Sequence, residues 1–174
     1  MLSAALGDHV FWITSRAAGI VALLASSIAV ALGLMMARRS RLPDLRVTHE
    51  ALSLATIAAI VVHALALLGD SFLNPSLADI AIPFASGYQR LWTTTGIVAG
   101  WMLILLGLSY YLRARIGPAR WRSLHRFTAL AWALGVVHAI GEGTDAGAAW
   151  FLVAAAAVVV PAGALLAARL APAT

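Results

Sequence analysis

The sequence contains neither cysteine nor lysine, and only 11% of its residues are charged. Without cysteine, the chain can form no disulfide, no thiolate-ligated iron–sulfur cluster and no thioether bond to a cofactor. The low charge, together with 62% hydrophobic residues, lies far outside the composition of soluble globular proteins. We therefore expect membrane lipid to surround most of the fold.

The twelve basic residues are all arginine, and the formal net charge is +5. A basic chain can indicate nucleic-acid binding. These arginines cluster between apolar runs, however, where orientation in an anionic membrane explains them more simply. We expect no nucleic-acid partner. The heavy use of arginine and alanine is typical of a bacterial source, so the expected location is the bacterial cytoplasmic (inner) membrane.

Five apolar runs have the length of membrane-crossing helices, for which about 20 residues are needed to cross a hydrocarbon core of about 30 Å. They are residues 11–36, 49–68, 91–112, 124–140 and 146–166. The first run is too long for the apolar region of a signal peptide, and we interpret it as a retained helix. The sequence thus predicts an all-α integral membrane protein, a five-transmembrane-helix bundle forming a single domain over residues 1–174.

Loop charge predicts the orientation, because arginine-rich loops stay cytoplasmic. Two connections are rich in arginine, the first with Arg38, Arg39, Arg41 and Arg46, and the second with Arg113, Arg115, Arg120 and Arg122. These connections follow the first and third runs, so the N-terminus is expected outside and the C-terminus in the cytoplasm. Segment 69–90 alternates apolar and polar residues and is expected to fold back as an outer interfacial lid.

Four of the five histidines lie on just two of the predicted helices. His49 and His63 are 14 residues apart on the second, and His125 and His138 are 13 apart on the fourth. Each pair therefore spans about 20 Å along its helix and places one ring near each face of the membrane. Two helices side by side would offer two sites of two imidazoles, His49 with His125 at the cytoplasmic level and His63 with His138 at the outer level.

Two imidazoles on opposite sides of a haem fill both axial positions of the iron, which suits electron transfer. Helical phase supports this arrangement only in part. A spacing of 14 residues returns to within about 40° of one face, whereas 13 residues land about 140° away. We therefore expect a kink or a tightened turn in the fourth helix, with Gly135 as the candidate position.

Metal or proton transport through the same histidines is the alternative function, because ionisable groups inside a membrane often mark such pathways. Proton pathways usually include carboxylates. Here the acidic residues all lie near helix ends or in loops. This pattern favours the haem interpretation without excluding transport.

Four arginines are candidates for binding haem propionates. Arg16 lies inside the outer end of the first helix and needs a partner, which a propionate could be through bidentate hydrogen bonds. Snorkelling to the interface is the alternative for this side chain. Arg90 is a second candidate at the outer level, and Arg126, or Arg122 in its place, is a candidate at the inner level. For this cytoplasmic pair, positive-inside placement alone is a sufficient alternative explanation.

The strings THEALSLATIAAIVVHALALLGD and WRSLHRFTALAWALGVVHAIGEGTD carry the four histidines. With PFASGYQRLW and SRAAG, they resemble the ferric reductase-like transmembrane domain, the membrane module shared by ferric reductases and NADPH oxidases. That family has two histidines 14 apart on one helix and two 13 apart on another, as this chain does. The chain is similar to stand-alone bacterial members of the family.

The resemblance implies two haem b groups, held by His49 with His125 and by His63 with His138. It implies electron transfer from a cytoplasmic or quinol donor to an outer redox acceptor, with ferric iron as one class of acceptor. Fused family members continue into flavin and nicotinamide domains. The sequence ends at Thr174, so we expect a separate flavoprotein or quinol as donor and enzymatic activity only with such a partner. Quinone or flavin acting through a partner, and a non-catalytic haem-bearing accessory role, stay open.

Overall fold

The computed structural model describes residues 2–38 and 43–171, and the side chains of residues 9–37 and 45–171. Over these ranges the protein is all-helical and has no strand. The helices are α1 (Leu2–Arg38), α2 (Pro43–Leu67), α3 (Leu77–Ala81), α4 (Arg90–Leu108), α5 (Arg113–Ile116), α6 (Pro118–His125), α7 (Thr128–Gly141) and α8 (Ala149–Leu170). A 3-10 turn, Ser109–Leu112, joins α4 to α5.

Within the described ranges, four helical stretches are long and apolar enough to cross a membrane. They are His9–Ala37, Leu45–Leu67, Arg90–Ile116 and Ala149–Leu170. Lipid offers no hydrogen bonds to the backbone, so a crossing segment must satisfy its own N–H and C=O groups, as a helix does. The chain is accordingly a multi-pass membrane protein.

The run predicted at residues 124–140 is not one continuous helix. Helix α6 ends at His125, and α7 begins at Thr128 and has 14 residues, about 21 Å of helix. The chain tightens between them, where Phe127 N–H donates to Leu124 O (3.0 Å). The irregularity that helical phase required therefore lies at Arg126 and Phe127. The prediction that the tightened turn lies at Gly135 was wrong, because Gly135 lies inside the regular helix α7.

The other helices differ from the predicted runs mainly at their ends. Helix α2 begins at Pro43, six residues before the predicted start, and α8 continues to Leu170. Hydropathy detects only the apolar stretch that contacts lipid. A helix can continue into polar residues beyond the membrane edge, so its ends lie outside that stretch. Of the arginines used to predict orientation, Arg39, Arg41 and the side chain of Arg38 lie outside the described residues.

Helix α1 is the centre of the packing. It contacts α2 most extensively, and it also contacts α8 and α7, while α4 packs mainly on α7. Helices α2 and α7, which carry three of the four paired histidines, make few or no backbone contacts with each other over the described residues. They are therefore not packed side by side, but face each other across a gap flanked by α1 and α4.

Two buried hydrogen bonds in series join α7 to α1 in the first half of α7. The indole Nε1 of Trp132 donates to Ser27 Oγ (2.9 Å), which in turn donates to Leu23 O (2.7 Å). Ser27 is fully buried and Trp132 is nearly so. Both polar groups are thus satisfied in the apolar interior, and the separation between α1 and α7 is fixed at this depth.

Segment 69–90 folds back onto α4. Trp101 Nε1 donates to Ala81 O (2.8 Å), and Phe84 N–H donates to Thr94 Oγ1 (3.0 Å). Apolar side chains on the segment remain exposed, and Phe72 is 89% exposed, as in a segment that meets the lipid headgroups.

Helix α3 within this segment begins with a capping box. Ser76 Oγ accepts from Asp79 N–H, and the Asp79 carboxylate accepts from the Ser76 side chain and backbone N–H. These bonds, that of the Ser76 side chain first, hold the pKa of Asp79 below its ordinary value. The stabilisation from this cap is therefore fully present at pH values above the ordinary pKa of a carboxyl group. It is lost as the pH falls through the lowered pKa of Asp79.

Candidate functional site

The four histidines of α2, α6 and α7 form two ring pairs. The ring centres of His49 and His125 are 6.2 Å apart with planes at 79°, and those of His63 and His138 are 6.3 Å apart at 72°. The structure thus brings together the residues that the spacing places at equal depth. The two pairs have nearly the same geometry although they lie at opposite ends of the gap.

Three of the four rings are oriented by backbone carbonyls from a neighbouring helix. Their Nδ1 atoms donate to these oxygens: His63 to Ser15 (2.8 Å), His49 to Ala29 (2.9 Å) and His138 to Trp92 (3.0 Å). A carbonyl oxygen can only accept, so Nδ1 carries the ring proton. The lone pair of each ring is then on Nε2, the tautomer in which imidazole binds a metal through that atom.

The fourth ring, His125, is held differently. Its Nδ1 is buried and makes no well-formed hydrogen bond to a described residue, although the Leu106 carbonyl on α4 lies near the ring. Instead, the ring stacks on Trp121, with centres 4.9 Å apart and planes at 25°. The indole of Trp121 is itself fixed, since its Nε1 donates to Ser109 Oγ (3.1 Å). Stacking on Trp121 within α6, beside the Leu106 carbonyl, therefore orients the His125 ring.

Glycines provide the space for three of the rings. A Cβ built on Gly96 would lie 2.5 Å from Nδ1 of His138, a separation that real contacts do not show. The same atom on Gly19 would lie 3.1 Å from His63, and on Gly33 it would lie 3.2 Å from His49. Helices α1 and α4 can approach the rings this closely only because these residues lack a side chain.

Sequence reasoning overlooked Gly19 and Gly33. A usable signal was present. Gly19 and Gly33 are 14 residues apart, as are His49 and His63. On antiparallel neighbouring helices, equal spacings place both glycines opposite both histidines.

A largely apolar cavity of about 300 Å³ lies at the inner ring pair. His49 and His125 line it from α2 and α6, and Gly33 lines it from α1. Its polar lining also includes Arg126 and Arg169. Arg169, on α8, was missed from the sequence because nothing in the local pattern relates the last helix to this level.

The candidate arginine Arg16 has an ion-pair partner within the protein. Its Nε and Nη2 donate to the two carboxylate oxygens of Asp145, a buried residue between α7 and α8. Its guanidinium also lies 5.0 Å from the centre of the Trp12 ring. The bidentate pair satisfies the charge that the sequence left unpaired, and a propionate role for Arg16 stays a prediction.

The other candidates lie in different surroundings. Arg90 donates from Nε to Phe84 O (2.9 Å), which ties the start of α4 to segment 69–90, and its propionate role also stays a prediction. Arg126 lines the inner cavity. His9 is exposed and belongs to neither ring pair.

The described residues contain no group of three or more histidine, aspartate or glutamate side chains placed to hold a metal ion. Structural zinc sites use four protein ligands and catalytic ones three. Two imidazoles at each level therefore leave such a site incomplete. They suffice only for a metal that brings further ligands of its own.

A family model described as "Ferric reductase like transmembrane component" matches residues 18–136 of the chain. The matched range includes three of the four paired histidines and ends two residues before His138. No curated protein and no solved structure is significantly similar to the chain.

Proposed function

The chain belongs to the ferric reductase-like transmembrane family and is a membrane redox module, and from that premise we propose that it is a di-haem b-type cytochrome. The resemblance predicted from the histidine strings is thereby confirmed. His49 and His125 would hold the inner haem, and His63 and His138 the outer haem.

The observation that carries this proposal is the geometry of the ring pairs. A metal binds imidazole nitrogen at about 2.0 Å, so two rings on opposite sides of one metal have centres about 6 Å apart. The pairs measure 6.2 and 6.3 Å. At least three rings also present Nε2 as the free nitrogen, because their Nδ1 atoms donate to carbonyls.

The surrounding residues fit a planar apolar group. The gap between α2 and α7 and the apolar lining of the inner cavity offer room for a macrocycle, and the glycines behind the rings make room for the histidines that would hold it. Arg126 and Arg169 at the inner cavity are placed to pair with its carboxylates. When bound, haem supplies one-electron chemistry, and the axial ligands help set its potential.

The two sites make a path from one face of the membrane to the other. We propose five crossings, with α6 and α7 together forming the fourth, in a single domain over residues 1–174. The N-terminus would lie outside and the C-terminus in the cytoplasm of a bacterial inner membrane. A cytoplasmic flavoprotein or a quinol would supply electrons to the inner level, and an outer redox acceptor would receive them.

A histidine-based metal or proton transporter is the rival function. The incomplete ligand sets argue against a protein-only metal site at either level. A haem-bearing accessory subunit that does not turn over is a second rival. It would bind haem but would not reduce an outer acceptor when its haem is reduced.

The test of the proposal is a dithionite-reduced minus oxidised spectrum of the purified protein with pyridine-haemochrome quantitation. We expect two b haems per chain. One haem per chain would contradict the two-site proposal and favour the accessory role. If the protein contains no haem after expression with ample haem, the result would favour metal or proton transport through the histidines.

The stacking of Trp121 on His125 leads to a separate prediction. Trp121→Ala removes the contact that orients His125, and we expect it to weaken haem binding at the inner site about tenfold, the lower end for loss of an outer-shell partner. Trp121→Phe keeps an aromatic face and should lose less. The measurement is the rate of haem transfer to excess apomyoglobin.

Trp150→Ala is the matched control, because Trp150 is 53% exposed on α8 and contacts neither ring pair in the described structure. It should release haem at the wild-type rate. Equal rates for Trp121→Ala and wild type would show that stacking does not orient His125.

A further inference from the structure

The outer ring pair differs from the inner pair in having an acidic neighbour. Glu142 follows α7 by one residue and lies one turn after His138, with its Oε2 3.2 Å from His138 Nδ1. The Nδ1–H bond itself goes to Trp92 O. Glu142 Oε2 is buried and has no hydrogen-bond partner among the described residues. The carboxylate therefore acts on the ring mainly through its charge.

A second helix holds Glu142 in this position. Thr93 Oγ1, on α4, donates to Glu142 Oε1 (2.9 Å). The hydroxyl also approaches Tyr88 O at 2.8 Å, so it lies within a local network at the start of α4. The carboxylate of Glu142 is thus placed by a bond to one oxygen while the other oxygen faces the ring nitrogen.

The inner pair has no counterpart. In the described part of the chain, no carboxylate oxygen lies within 4.0 Å of a ring nitrogen of His49, His63 or His125. The acidic residue adjacent to His49, Glu50, instead accepts from Tyr111 OH (2.8 Å).

Resting on the haem sites proposed above, we propose that Glu142 is a positioning residue that lowers the reduction potential of the outer haem. An anion beside the Nδ1 atom of a histidine that binds a metal through Nε2 makes that ligand more basic. A more basic ligand, together with the nearby negative charge, stabilises the ferric iron more than the ferrous iron, since the ferric state carries one more positive charge. The His138 and Glu142 side chains are 25% and 17% exposed, so the charge acts through a partly desolvated site, where it is screened less than in bulk water.

The consequence is an asymmetry between the two sites. With haem bound, each site would take up one electron, and Glu142 would oppose that uptake only at the outer level. Once reduced, the outer site would then be a stronger reductant than its two histidines alone would make it. This increases the driving force for passing the electron to an acceptor on the outer side.

The experiment is a potentiometric titration of the haem-loaded Glu142→Gln protein, followed through the reduced α band. The amide keeps an acceptor for Thr93 and removes the charge. We expect one of two components to change, with its ratio of reduced to oxidised haem at a fixed potential increasing about tenfold, or about 59 mV for a one-electron couple. The other component should stay at the wild-type value.

Glu50→Gln is the matched control, since it removes a carboxylate beside His49 that is bonded to Tyr111, and it should leave the outer component unchanged. Thr93→Val keeps the charge and removes its tether, and provides a second measurement if Glu142→Gln does not retain the outer haem. A change in the outer component of that variant supports the proposal.

Two failures can be told apart. Wild-type protein without haem would contradict the proposed function itself. A fully loaded Glu142→Gln protein with both components at wild-type potentials would overturn only the role of Glu142, as would unchanged potentials in Thr93→Val where that variant is used.

Discussion

Replacing His63 with alanine is expected to reduce the haem content of the purified protein from two per chain to one. The ring centres of His63 and His138 are 6.3 Å apart. Without His63, His138 would be the only histidine left to hold a haem at the outer site. The inner pair, on the opposite side of the gap, keeps both rings. Pyridine-haemochrome quantitation measures the loss directly.

The chain offers its own control for this experiment. His9→Ala removes an exposed histidine that belongs to neither pair, and it should retain both haems. His138→Ala should reproduce His63→Ala, and the double variant should lose no more than either single variant, because both residues serve one site. Two haems retained in His63→Ala would refute the assignment of the outer pair.

Replacing Gly96 with alanine should have nearly the same effect, although it adds only one methyl group and replaces none of the four histidines. The new Cβ would lie 2.5 Å from Nδ1 and 2.6 Å from Cε1 of His138, and that ring is held by Trp92 O. The ring must therefore leave its place opposite His63. We expect haem affinity at the outer site to fall at least tenfold, as for loss of an outer-shell partner.

Gly135→Ala is the matched control on the neighbouring helix. The nearest atom to its new Cβ is Ala99 Cβ at 3.9 Å, an ordinary contact. Alanine stabilises a helix over glycine by about 1 kcal/mol, so neither variant should lose haem through weakened helices. Haem content and spectrum unchanged in Gly96→Ala would show that the ring has more freedom than the structure gives it.

Most of the architecture follows from local features of the sequence. An apolar run long enough to cross lipid must be helical, because the backbone has no other way to satisfy its hydrogen bonds there. Four such stretches among the described residues coincide with predicted runs. The run at residues 124–140 did not behave in this way. A tightened turn at Arg126 and Phe127 separates α6 from α7, and hydropathy averaged over a window cannot detect a change in hydrogen-bond pattern over two residues.

By itself, the sequence determined the membrane setting, the family and which histidines share a depth, because composition, motif strings and residue spacing are properties of the chain in order. The tertiary structure alone decided what surrounds those histidines. Asp145 pairs with Arg16, Gly96 makes room for His138, and Glu142 approaches its ring. The first two are contacts between helices or loops far apart in sequence. The third depends on Thr93, brought in from α4. Such contacts arise only when α1, α4 and α7 pack together, and no period or motif along the chain encodes them.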